Sequence, residues 1–448
     1  MIDRSSVVAA ILVPALLAAA APPVVAQAPA QLQPSQLSLA EALRLALQQN
    51  QQLRVAAFEV AVARAQLAQS RAGGAIQGSV QGSYTRTQEG VSTTIPDSGG
   101  DVITIPPPSP NLYAARLILQ YPLYSGGRIE AQIAMAEANL KGAEATFERV
   151  KQQIVFTIRQ AYYQLLLAQA GFDSANHSVA QAVENLRVAR ARVASGVSPK
   201  FDEVQADVAL ATARQVQVRA RNGVAQAMQG LAGLLNLALD RTLAPADGFA
   251  VIVVETPLDR LIAQALATRP ELAEVRARQA AAQAGIQLAE SGGRLNLGLS
   301  GAFDYSNTNG FIPGTTLSSS WSVTLAATLS IFDGGLTMER INEARQRLEQ
   351  LKAAELSQRQ AIELDVRQSY LNLQSAREEL TGADALQAQA AEALRIANVR
   401  FAAGVGTSLE VLSAQASSSQ AEVAKAQALF TYNVARAALV RAVGAEVN

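Results

Sequence analysis

The chain has 448 residues, 49% hydrophobic and 17% charged, and its Lys+Arg 37 balance its Asp+Glu 37. A neutral chain offers no basic or acidic excess for nucleic acid or another highly charged partner. With no cysteine there is no disulfide, thiolate metal site, cysteine nucleophile or lipidated N-terminal cysteine, and the composition suits an oxidising compartment.

The N-terminus reads as an export signal. Arg4 precedes an apolar run from Val7 to Val25, and the small residues that follow suit cleavage after Ala26 or Ala28, so residues 1–26 are expected to be removed. A membrane anchor is the competing reading, opposed by Pro14, Pro22 and Pro23. Beyond this leader no apolar run reaches the roughly 18 residues of a spanning helix, so any membrane role falls to strands or a surface helix.

Residues 39–71 are rich in Ala, Leu, Gln and Arg and predict a helix. From 74 to 124 Gly, Ser, Thr, Tyr and Pro take over, as strands and loops require. From Arg128 to Ser195 there is no proline, and Ile133, Leu140, Phe147, Ile154, Ala161 and Ala168 recur every seven residues, the spacing of a coiled-coil helix. At 1.5 Å per residue this helix spans roughly 100 Å, and it needs equally long neighbours. Gly196 to Pro199 interrupts it, and a second Ala-rich helix follows over 202–237. After a linker at 238–256 the order returns: helix 257–290, strands 294–332, long helix 336–403, helix 410–443.

The return is a duplication. Leu39, Leu47 and Leu53 reappear as Leu258, Leu266 and Leu272, and Tyr124-Ser125-Gly126-Gly127 as Phe332-Asp333-Gly334-Gly335. Ile154, Arg159-Gln160, Tyr162, Leu165 and Ala168 return at one offset as Ile362, Arg367-Gln368, Tyr370, Leu373 and Ala376. The chain is therefore one unit of roughly 200 residues written twice, as repeat 1 (27–237) and repeat 2 (257–448).

The strand regions alternate. Trp321, Val323, Leu325, Ala327, Leu329 and Ile331 interleave with Ser322, Thr324, Ala326, Thr328 and Ser330, and Leu295 to Tyr305 does the same. Period-two alternation over about ten nearly charge-free residues suits a strand with lipid on one side and water on the other. Tyr84, Tyr113, Tyr121, Tyr124, Tyr305 and Trp321 are candidates for interfacial aromatic belts. A soluble half-buried sheet would use similar side chains, and the stretch Ile76 to Tyr84, with Gly78 and Gly82, is poorer in apolar residues. Two strands per repeat make about four per chain, too few to close a barrel that needs at least eight. Open edges in lipid are not tolerated. Strands that cross a membrane must then be shared between chains, and three copies give about twelve.

The leader, the duplicated helix–hairpin–long helix–helix unit, the Gly-Gly after the second strand and the turn Arg400-Phe401-Ala402-Ala403-Gly404 together resemble the TolC-like outer membrane efflux proteins. The resemblance implies a mainly α fold with a small β part: a homotrimer whose twelve-stranded outer-membrane β-barrel continues into a long periplasmic α-helical barrel. It implies the passive exit duct of a tripartite efflux or type I secretion system, whose partners are a periplasmic adaptor (membrane fusion) protein and an inner-membrane transporter. Carried over by position, the adaptor-docking candidates are Ser195, Gly196 and Val197 with Ala403, Gly404 and Val405. The glycines would also serve simply to end each helix. Glu410 and Asp202 are candidates for an acidic ring at the periplasmic entrance that would favour cations, or for helix N-terminal acids that answer the macrodipole. Where relatives lock the tip with Tyr and Arg hydrogen bonds, this chain has Phe401 and Gly406.

Nothing in the sequence supports catalysis or a cofactor. His177 has no metal-ligand spacing around it, and neither a G-x-S-x-G nor a P-loop pattern occurs. Gly126-Gly127 and Gly334-Gly335 read as strand-to-helix turns, and the loops 86–110 and 306–318 suit extracellular tips. The competing function is a soluble periplasmic coiled-coil scaffold without a pore. Drug, protein and metal transport all stay open, with a soft-metal path disfavoured by the lack of Cys and by four Met and one His.

Overall fold

A computed structural model of the chain describes residues 35–447 except 97, 98, 101, 106, 108, 241, 242 and 308–317. The leader and most of the 306–318 loop lie outside the described residues.

Repeat 1 opens with a short strand, β1 (Ser35–Leu37), and a helix, α1 (Leu39–Gln49), started by a Ser38–Glu41 capping box. The helix expected across 39–71 is two helices. Asn50 ends the first in extended conformation, and its side chain accepts from the N–H groups of Gln52 and Leu53 to start α2 (Gln51–Ala72). Strand β2 (Gln77–Arg86) follows, then a small hairpin of β3 (Thr93–Pro96) and β4 (Val102–Ile105), then β5 (Asn111–Tyr124). The 67-residue helix α3 (Arg128–Ala194) turns back into α4 (Lys200–Leu234), and β6 (Leu243–Pro245) pairs in parallel with β1.

Repeat 2 consists of α5 (Leu258–Thr268), α6 (Pro270–Ser291), β7 (Asn296–Ser306), β8 (Ser318–Thr328), α7 (Leu336–Ala402) and α8 (Ser408–Val443). The break between its first two helices falls at the position of Asn50, but here Pro270 supplies the first helical residue and Arg269 the extended cap.

Each long helix is 67 residues, about 100 Å at 1.5 Å per residue. Along each lies a pair of shorter helices set end to end. In repeat 1 Asn50 Nδ2 donates to the carbonyl of Leu234, joining the end of α4 to the start of α2 at 3.1 Å. In repeat 2 the corresponding residue is a buried arginine. Arg269 donates to the Ala442 carbonyl at 2.9 Å, to Asp365 on α7 at 2.8 Å, and in a two-pronged pair to Glu271 at 2.8 and 3.0 Å. Burial opposes its charge, but the hydrogen bonds to Glu271 and Asp365 outweigh burial and hold its pKa above the usual arginine value. Thr268 Oγ1 adds a bond to the Val443 carbonyl at 2.8 Å, so the last carbonyls of α8 are satisfied from the neighbouring helix.

The main cores sit at these two joints. Ile154, Ile158, Tyr162 and Leu165 of α3 pack with Ala42, Ala46, Leu231 and Leu235. Their counterparts Ile362, Val366 and Leu373 of α7 pack with Leu261, Ala265 and Leu439. Tyr162 donates to the Leu37 carbonyl at 3.0 Å and accepts from the Asp247 amide at 3.2 Å, tying β1 and the linker to the long helix. Of the seven-residue series read along α3, Ile154 alone is fully buried; before it in the helix the buried positions are Ala131, Ala136, Ala138 and Ala145. The period is right, but the buried stripe is offset and small, because α3 has neighbours on more than one side and alanine permits close approach.

Candidate functional site

Four strands form one antiparallel sheet in the order β2-β5-β7-β8. Directly paired residues point to the same face, so the register sorts every side chain. Val80 pairs with Leu117 and Tyr84 with Tyr113; Leu117 with Phe303 and Tyr121 with Leu299; Phe303 with Trp321 and Leu299 with Leu325. One face is therefore apolar across the middle of all four strands, with Arg86, Asn111 and Ser319 at its loop end. It stands open to the surroundings in the single chain, with Val80 77% and Trp321 76% exposed. The poverty of β2 has a local cause: a Cβ at Gly78 would come within 3.0 Å of Leu119 Cδ2, so the neighbouring leucine covers that spot.

The opposite face carries Gln77, Ser79, Gln81, Gln120, Ser300, Ser322, Thr324 and Thr328. Amid these neutral groups it also holds Arg116 and Asp304, directly paired across β5 and β7 with Nε 3.2 Å from Oδ1. Sequence reasoning missed this pair, although each member is a lone charge inside an otherwise uncharged strand.

The aromatic candidates fall in two groups. Tyr84 and Tyr113, with ring centroids 5.1 Å apart, lie with Tyr305 and Trp321 toward the loop end of the sheet. Tyr121 and Tyr124 lie toward the helices. Tyr113 and Tyr121 are eight residues apart, about 27 Å along a strand and near 20 Å once tilted, close to the height of a bilayer's apolar band.

The sheet joins the long helices through Gly126-Gly127 and Gly334-Gly335, all four with positive φ (65°, 88°, 67° and 89°). A Cβ at Gly126 would also sit 2.9 Å from that of Arg294. Ser125 in one repeat and Asp333 in the other accept from helix-start amides, so both junctions are closed by the same device.

At the far end of the helices are the two turns. Ser195, Gly196 and Val197 occupy one and Ala403, Gly404 and Val405 the other, with Gly196 and Gly404 at φ 75° and 79°. The left-handed φ explains why glycine stands there. Beside each glycine two apolar side chains project into the surroundings, Val197 and Phe201 on one turn, Val405 and Leu409 on the other. Thr407 caps α8 by accepting from the Glu410 amide at 3.2 Å, and the Glu410 carboxylate lies 3.6 Å from Arg400. Asp202 instead lines a cleft of about 290 Å³ between the two turns, together with Arg192, Phe401 and Thr407. The two acids hold equivalent places in the repeats but face different surroundings. Phe401 does not stand idle: the Arg192 guanidinium lies 4.6 Å from its ring centre, a cation–π contact joining the two turns.

The sequence matches the model of the outer membrane efflux protein family twice, over residues 42–237 and 261–445, one match per repeat. The chain belongs to this family. Among curated proteins it is similar to Protein CyaE of Bordetella pertussis, 27% identical over 301 residues, which cover 66% of this chain and 63% of that relative's own length. Among solved structures it is similar to a membrane protein of Pseudomonas aeruginosa, with a TM-score of 0.73 at 23% identity over 91% of this chain and 90% of that one. The Campylobacter jejuni CmeC outer membrane channel gives 0.75 at 18% identity over 92% and 86%. At these identities the likeness establishes the fold: long helical hairpins written twice, with a small sheet at one end. Family membership places the protein in the outer membrane. Among the described residues no helix is long and apolar enough to cross a membrane.

Proposed function

We propose that three copies of this chain enclose one barrel of about twelve strands, continued by a helical tunnel, and serve as the passive exit duct of an efflux or type I secretion machine. The observation that carries this reading is the sheet itself: one face apolar except at its loop end, one polar, and, among the described residues, both edges unpaired. A soluble scaffold would leave that apolar face in water, whereas lipid accommodates it and ring closure satisfies the edges.

In this reading the apolar face meets lipid, the two aromatic groups lie at its boundaries, and the polar face lines the pore. The two turns meet the periplasmic adaptor, and an inner-membrane transporter supplies the energy and most of the substrate choice. The exposed Val197, Phe201, Val405 and Leu409 support the docking assignment, since they offer apolar surface beside each glycine. Glu410 and Asp202 lie just inside the same end and act on passing ions. The test is to extract the protein from outer membranes in detergent, measure its mass by light scattering, and record it in planar bilayers. Trimers with stepwise conductance are expected. A stable, water-soluble monomer released by osmotic shock would instead establish the scaffold.

A further inference from the structure

The duplication builds one groove twice. In repeat 1, Gln66, Gln69 and Ser70 of α2 and Gln132 and Asn139 of α3 line a hollow of about 460 Å³. The residues at the corresponding places in repeat 2 are Gly285, Leu288 and Ala289 of α6 and Arg340 and Arg347 of α7. They line a hollow of about 600 Å³, to which α3 adds Arg128 and Met135 from the other side. Both grooves lie beside the first turns of a long helix, next to its junction with the sheet.

Because the backbone positions are equivalent, the fold dictates none of the side chains at them, and the two grooves differ in kind. The first is a trough of amides and hydroxyls that water fills without penalty. In the second the α6 amides give way to an apolar floor, Leu288 and Ala289 with Leu351 farther along, under a rim of arginines. The acid on this groove, Glu343, is already paired with Arg347. Arg128 and Arg340 have no side-chain partner among the described residues. Gly285 deepens the trough. After proline, glycine is the least favourable residue inside a helix, and a Cβ at Gly285 would meet nothing within 4 Å, so no close contact in the chain requires it.

We propose that the groove between α3, α6 and α7 binds an amphipathic organic anion. Its hydrocarbon or aromatic body lies on the floor of Leu288, Ala289 and Leu351, and its carboxylate, sulfonate or phosphate head meets Arg128 and Arg340. The volume falls in the range of small-ligand pockets. Charge complementarity selects the head: a cation meets uncompensated like charge, and a neutral group forgoes the charge-assisted hydrogen bonds that a guanidinium offers. The floor selects the body, since a small inorganic anion would leave it in water. A membrane lipid and a solute in transit both present this chemistry. The walls belong to one chain, so the site does not rest on the shared barrel.

The full protein, purified in a nonionic detergent, is irradiated with dodecanoic acid carrying a photoreactive diazirine in its chain, and adducts are mapped by peptide mass spectrometry. Saturable adducts are expected on residues 281–292. The alcohol and the amine of the same chain length should label there at least about tenfold less, the loss that accompanies a missing hydrogen bond to a charged group. Arg128→Gln with Arg340→Gln should lower labelling by the acid about as much, and Gly285→Gln should lower it by narrowing the trough. Gln at 340 and 285 copies Gln132 and Gln66 of repeat 1, residues that the same fold already accommodates. Equal labelling by acid, alcohol and amine, equal labelling of α2, or variants that label like the native chain would overturn the proposal. In vesicles that contain a diazirine-bearing phosphatidylglycerol, adducts on α6 from the lipid identify the bilayer as the source, and adducts from the free acid alone identify a solute. Adducts on α6 from neither would overturn the site, while the trimer mass from light scattering reports on the duct separately.

Discussion

Replacing Asp304 with Asn leaves the shape of the polar face almost unchanged but uncovers Arg116, three times per trimer. A twelve-stranded barrel with strands about 4.8 Å apart and tilted about 40° has a backbone radius near 12 Å, so an inward guanidinium sits about 8 Å from the axis. Each uncovered charge contributes about 0.5 kcal/mol at the axis in water, and three contribute about 1.6 kcal/mol. At 0.1 M salt, with a screening length of about 10 Å, roughly 0.7 kcal/mol survives, enough to deplete cations and enrich anions about threefold; at 1 M almost nothing does. Asp304→Asn should therefore shift the reversal potential of bilayer-reconstituted channels toward chloride in dilute salt gradients. Arg116→Gln should shift it toward potassium by a similar amount. Both singles break the same cross-strand contact, so opposite signs isolate charge from structure, and the double variant should return to the native value. Two shifts in one direction, or none in dilute salt, would refute the placement of this pair in the pore.

Glu410→Ala should weaken cation preference in the same recordings, and Arg400→Ala, which releases Glu410 from its neighbour, should strengthen it; unaltered selectivity in both would remove Glu410 from the ion path. Gly404→Glu should abolish export while trimers persist, but its φ of 79° adds about 1–2 kcal/mol of backbone strain. Val405→Asp on the same turn supplies the unstrained companion, and normal export from Val405→Asp would count against docking there. Arg269→Met leaves Asp365 and Glu271 facing a buried apolar group and should destabilise the protein by about 3–5 kcal/mol. Asn50→Ala at the matching joint should cost only about 1 kcal/mol. Denaturation of the two variants side by side should rank them in that order, and equal losses would contradict the account of the joints.

The duplication, the long helices, the strand positions and their alternation were legible in the amino-acid order, because each is a local pattern of period, length or repetition. The apolar face could be read for the same reason: residues two apart on a strand share a side whatever lies beyond. The break at Asn50 was legible only in part, since the helix-forming residues on both sides hid a side chain that caps one helix while holding the end of another.

What depended on the tertiary structure was which distant residues meet. Arg116 and Asp304 are each unremarked until strand order sets β5 beside β7. Arg192 and Phe401 come together only because two hairpins of equal length place their turns side by side. Asp202 and Glu410 hold equivalent positions in sequence, yet one lines a cleft and the other lies near an arginine of its own hairpin. Local pattern determines the elements and the side on which each is apolar. Partnership follows from packing over separations that no local period records, as the 188 residues between Arg116 and Asp304 illustrate.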